Sequence, residues 1–147
     1  MRHLCKCIAA AASLWLSSFS IASCSKPPAP APAAEAETEA IARTEFTNRV
    51  ENYFEYEPLR SGKPAQVRIH LTDLSDGSPV EKAEVTLAVR PRGSSEVLAR
   101  TASRIGKVSG IYVAELQIPK PGEYDIEFHI KNDKLDERMA SSDFKVE

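Results

Sequence analysis

After position 24 the sequence contains no cysteine: its only three, Cys5, Cys7 and Cys24, crowd the amino-terminal end. Whatever folds downstream therefore has neither a disulfide nor a thiolate metal site. Imidazoles are almost as scarce, with only His70 and His129 beyond the first few residues. There is no glycine-rich phosphate loop, no Gly-x-Ser-x-Gly and no His-Glu-x-x-His. A catalytic site needs a nucleophile, a base and an orienting group, or a metal with several ligands. None is legible here, so the chain is expected not to be an enzyme. Clustered basic residues are lacking too. Losing Arg2 and Lys6 with a leader takes the formal charge from −2 to about −4. That sign excludes nucleic acid, which is held by displacing counterions with clustered Lys and Arg.

What is present falls into three parts. Residues 1–23 have a cationic start (Arg2, Lys6), an apolar stretch from Ile8 through Ile21 and a small-residue site ahead of Cys24. This is the layout of a secretory signal, and the apolar stretch is short for a membrane span. Ile21-Ala22-Ser23-Cys24 resembles the lipobox of bacterial lipoproteins: an aliphatic residue, two small residues and a cysteine. The resemblance implies a diacylglyceryl thioether on Cys24, cleavage before it and anchoring in a membrane through acyl chains. Each buried methylene adds ~0.8 kcal/mol, so several chains anchor durably where one is marginal. The lipid on Cys24 is the only prosthetic group expected; no cofactor is. Ser25, rather than Asp, follows the cysteine, which in enteric-type bacteria points to the outer membrane rather than the inner. The expected location is the cell envelope, facing the periplasm. Residues 24–42 then read as a Pro/Ala/Glu-rich tether, extended at about 3.1 Å per residue where polyproline-like.

From Thr44 to Glu147 the apolar residues recur with period two, broken by turn residues about every ten positions. Strands are expected at Val50–Tyr56, Gln66–Leu74, Glu84–Arg90, Glu96–Arg104 (an edge), Gly110–Ile118, Glu123–Lys131 and Arg138–Val146. About seven short strands with polar outer faces predict an all-β domain over 43–147. Its form is an immunoglobulin-like antiparallel β-sandwich. Pro121-Gly122-Glu123-Tyr124 resembles a corner found in many immunoglobulin-like domains, which places Tyr124 in the core with its hydroxyl bonded nearby. Glu51, Glu55 and Glu57 alternate along one strand with cations nearby, and are read as a solvated face rather than an acid/base pair.

His70, His129 and the thioether of Met139 are the only nitrogen or sulfur ligands left after cleavage. Both histidines sit at outward positions of the second and sixth strands, which belong to opposite sheets about 10 Å apart. Their side chains would diverge, far beyond the ~2 Å reach of a shared zinc or copper ion. No metal is expected, and His70 and His129 are the only candidate ligands.

Arg43–Asp133 resembles the amino-terminal domain of some periplasmic adaptor subunits of heavy-metal RND efflux pumps. The resemblance is carried by Phe46-Thr47-Asn48-Arg49-Val50-Glu51-Asn52-Tyr53-Phe54-Glu55-Tyr56-Glu57-Pro58-Leu59 and Gly62-Lys63-Pro64. It continues through His70-Leu71-Thr72-Asp73-Leu74-Ser75-Asp76, Pro79-Val80, Gly110-Ile111-Tyr112 and Pro121-Gly122-Glu123-Tyr124. It implies a periplasmic interaction module with an envelope protein partner such as an efflux component, and puts no metal on any residue here. The helical hairpin, lipoyl-like domain and β-barrel of those adaptors do not follow. The short closing strand and charged end lead us to expect a complete protein rather than a truncated adaptor. The alternative function is a periplasmic protein that binds or delivers a copper-like ion.

Overall fold

The computed structural model describes residues 39–147. The signal segment, Cys24 and most of the tether lie outside the described residues.

Nine strands follow one another: β1 (Ile41–Phe46), β2 (Val50–Tyr56), β3 (Pro64–Asp73), β4 (Glu84–Pro91), β5 (Ala99–Ala102), β6 (Arg104–Ile105), β7 (Ile111–Gln117), β8 (Gly122–Lys131) and β9 (Asp136–Val146). All pairings are antiparallel, and they build two sheets. One has the order β1-β2-β3-β7-β6, the other β5-β4-β8-β9. With β2 as strand A these are A-B-E-D and C′-C-F-G, the strand order of an immunoglobulin-like sandwich, with β1 added at one edge.

Alternation drives the layering. On β2, Val50, Phe54 and Tyr56 point inward; on β8, Tyr124, Ile126, Phe128 and Ile130 do the same. The two sets meet in one apolar cluster, where the Phe54 and Phe128 rings lie 4.8 Å apart and Tyr56 sits 5.2 Å from Phe144. Each such ring contributes roughly 1.5–3 kcal/mol by leaving water. Pro58 ends β2 because it cannot donate to a ladder. The chain then reaches the other sheet, where Leu59 forms a parallel bridge to Val146.

Two details differ from the expected seven strands. β1 opens at Ile41, inside the segment read as tether. Its inward residues are Arg43 and Glu45, so no apolar alternation announces it, and none of its residues belongs to the core cluster. The segment expected as one strand at 96–104 is split. β5 pairs with β4 in one sheet and β6 with β7 in the other, with Ser103 at the crossing. The Ser103 amide still bonds the Val85 carbonyl at 2.8 Å.

The Tyr124 corner has the expected form. Its ring is buried, and its hydroxyl donates to the Lys120 carbonyl at 2.9 Å, tying the β7–β8 connection to the start of β8. Gly122, at φ 148, lies 3.5 Å from that ring when a Cβ is placed on it.

Candidate functional site

The sandwich has two poles. Ile41 pairs with Tyr56, and the Ser61 amide bonds the Glu147 carbonyl at 2.6 Å, so the chain enters and ends at one of them. The opposite pole gathers the β1–β2 turn (47–49), the β3–β4 loop (74–83), the β6–β7 loop (106–110) and the β8–β9 loop (132–135). In immunoglobulin variable domains the B–C and F–G loops of this pole are recognition loops.

Local chemistry fixes each loop. Asp73 Oδ1 accepts from the Ser75 hydroxyl at 2.6 Å and amide at 2.9 Å, and Asp76 Oδ1 accepts from the Ser78 amide at 2.9 Å. These serine donors favour the ionised carboxylates and hold both pKa values below the usual aspartate range. Asn132 Oδ1 accepts from the Lys134 and Leu135 amides at 2.8 and 2.9 Å, and its Nδ2 donates to the Glu81 carbonyl at 3.0 Å. One carboxamide thus shapes the β8–β9 loop and ties it to the β3–β4 loop. Arg49 adds a bond to the Lys134 carbonyl at 3.0 Å, and Ser109 bonds the Glu81 carboxylate.

Beneath them the buried Tyr112 hydroxyl donates to the Val80 carbonyl at 2.8 Å and accepts from the Ala83 amide at 3.0 Å. Burial pushes its pKa up, the Ala83 amide partly opposing. Lys82, between these anchors, is held at φ 52, a left-handed conformation that costs a non-glycine residue roughly 1–2 kcal/mol.

Between the β3–β4 and β8–β9 loops lies a cleft of about 480 Å³, with Ser78–Lys82 on one wall, Asn132–Leu135 on the other and Asp73 beside them. Exposed apolar side chains stand at the same pole: Leu74, Val108 and Phe46. The Asp73 and Asp76 carboxylates are engaged by serines, and the walls otherwise offer Lys82 and Lys134, the Glu81 and Asp133 carboxylates and backbone groups. Such a surface recognises by shape, hydrogen bonds and mixed charge.

The two histidines lie on different sheets. His70 sits on the outer face of β3, edge-on to Tyr53 at 5.3 Å between centroids, with Ile111 paired on its other side. Its Nε2 is shielded and has no partner among the described residues. His129, on the outer face of β8, bonds Asp136 Oδ1 through Nε2 at 2.7 Å, which lowers the Asp136 pKa. Met139 is buried in β9. Among the described residues, no three His, Cys, Asp or Glu side chains come together as a metal would require. Glu51 and Glu55 lie on the outer face of β2; Glu55 accepts from the Tyr53 hydroxyl at 2.9 Å and faces Arg68 at 3.6 Å.

The loop-pole residues Arg49, Glu81 and Asn132 were not singled out by the sequence. The Asp-Leu-Ser-Asp-Gly-Ser run marks a turn, but nothing local says that position 49 meets 134 or that 81 meets 132. No family model, curated protein or solved structure matches this chain.

Proposed function

We propose that the protein is a non-catalytic binding module of the bacterial envelope, anchored through a lipid on Cys24 and accessory to an RND-type heavy-metal efflux system. The loop pole is its partner-binding surface. The observation that carries this reading is placement: the cleft and its exposed apolar residues stand at the pole opposite Ile41, where the chain from Cys24 enters. In this reading the tether joins the domain at the pole away from the loops. The hydrogen bonds of Tyr112, Asn132 and Asp73 hold those loops in shape before any partner arrives, which lowers the entropy cost of binding. The efflux assignment rests on the sequence resemblance. Delivery of a copper-like ion is the alternative, and no feature of the two separated histidines favours it.

Two measurements test the proposal. Palmitate labelling in cells should appear in the wild type and vanish in Cys24→Ala; equal labelling would remove the anchor. Capture of pump and channel subunits by the full-length protein should fall about thirtyfold in Leu74→Asp combined with Lys134→Glu, a hot-spot-sized effect. Unchanged capture would place the interface elsewhere, and capture of no efflux subunit by the wild type would overturn the assignment.

A further inference from the structure

A sandwich of two open sheets has four edge strands, and unprotected edges pair with other chains. Three are blunted here. β5 has four residues and β6 two. β9 is broken by a bulge opposite Tyr124–Ile126, with Asp143 at φ 68; its Ser142 carbonyl is taken by Arg43, and Val146 is bridged by Leu59. The fourth, β1, is regular over six residues and carries neither proline nor bulge.

The hydrogen-bond phase of β1 fixes which groups it offers. The Thr47 amide bonds the Val50 carbonyl at 2.9 Å, so Thr47 faces Val50 as a bonded pair. Alternation then turns the main-chain groups of Ile41, Arg43 and Glu45 toward β2 and those of Ala42, Thr44 and Phe46 toward the open side. Ala42, Thr44 and Phe46 are all exposed, Phe46 by 61%. Arg43 and Glu45 point to the inner face, their side chains 26% and 30% exposed. Inward charges of this kind repel an arbitrary incoming strand.

We propose that β1 is a homodimerisation edge, pairing antiparallel with β1 of a second copy about a two-fold axis through Thr44. In that register Thr44 meets Thr44, Ala42 meets Phe46, and Arg43 of each copy meets Glu45 of the other. The bonded pairs are those whose main-chain groups are open, and the Thr–Thr and Arg–Glu contacts are of stabilising types. Sliding two residues either way sets Arg43 against Arg43 or Glu45 against Glu45. A slip of one places inner residues opposite outer ones. Arg43 and Glu45, 3.8 Å apart within one chain, are thus also complementary to their counterparts in a second copy. A two-fold interface is by nature self-complementary.

The test uses the full chain, purified from membranes in detergent and followed by sedimentation across a concentration series. A reversible dimer is expected for the wild type. Thr44→Pro deletes an amide that bonds nothing among the described residues, so it should abolish the dimer and leave the circular dichroism unchanged. Arg43→Glu or Glu45→Arg alone should weaken association about tenfold, and the two together should restore it. Thr44→Cys should cross-link to itself under oxidation, since a bonded antiparallel pair holds its Cα atoms about 5.5 Å apart; Glu51→Cys should not. A wild type that stays monomeric, a folded Thr44→Pro that still dimerises, or a Thr44→Cys that links only to a different protein would each overturn the proposal. If Thr44→Pro does not fold, the charge exchange decides: failure of the double variant to regain association has the same force.

Discussion

The Tyr124 hydroxyl ties the start of β8 to the preceding connection through one bond to the Lys120 carbonyl. Tyr124→Phe keeps the buried ring and removes that bond, so it should cost about 1 kcal/mol and lower the melting temperature by about 5 °C. Calorimetry reads this directly. At the loop pole the side chains of Ser75 and Ser78 hold Asp73 and Asp76 below the ordinary value of 3.8, and His129 does the same for Asp136. A depressed folded pKa means the unfolded chain takes up protons first as pH falls. The stabilisation is therefore complete above the ordinary value and is lost as pH drops through the lowered ones. Denaturant midpoints measured from pH 6 down to 2 should decline, and Ser75→Ala with Ser78→Ala should make the decline shallower. Of these residues, Tyr124 was legible from its Pro-Gly-Glu-Tyr corner. Pairing of His129 with Asp136 was not, because it needs two strands brought into register.

Strands with an apolar face were legible where that face alternates without interruption. β2, β4 and β8 have the limits expected of them to within a residue or so, since burial on one side leaves no other register. β1 escaped notice for the converse reason: Arg43 and Glu45 occupy its inner face, and backbone bonds to β2 with polar contacts to β9 hold it. The break at Ser103 escaped too, because a change of sheet is settled by which strands lie beside β4 and β7 rather than by the run 99–105 itself. Connections matter as much as strands. Gly110, at φ 76, accepts the Leu71 amide on its carbonyl at 2.9 Å, and a Cβ there would lie 2.6 Å from Pro79 Cβ. Gly110→Ala should therefore destabilise by about 2 kcal/mol or more, combining the left-handed penalty with displacement of the β3–β4 loop. It should also reduce partner capture if that loop is the binding surface. Chemical denaturation gives the first, pull-down the second.

Apart from Ala88, the buried apolar residues of the described domain belong to one cluster fed by both sheets. A single core without disulfides predicts one cooperative transition, with near- and far-ultraviolet dichroism melting together. Separate transitions would mean that one sheet survives the other. The two-layer architecture was readable from period-two patterning alone, because alternation leaves each strand one apolar face and two such faces must cover each other. The loop pole was not, since its members are joined only by the fold. Its position has a mechanical corollary. β1 runs from the entry pole to the loop pole before the first core strand begins. A pull between the amino-terminal side and a partner gripped at the β3–β4 and β8–β9 loops would enter the domain through that single strand and load its ladder with β2 in shear.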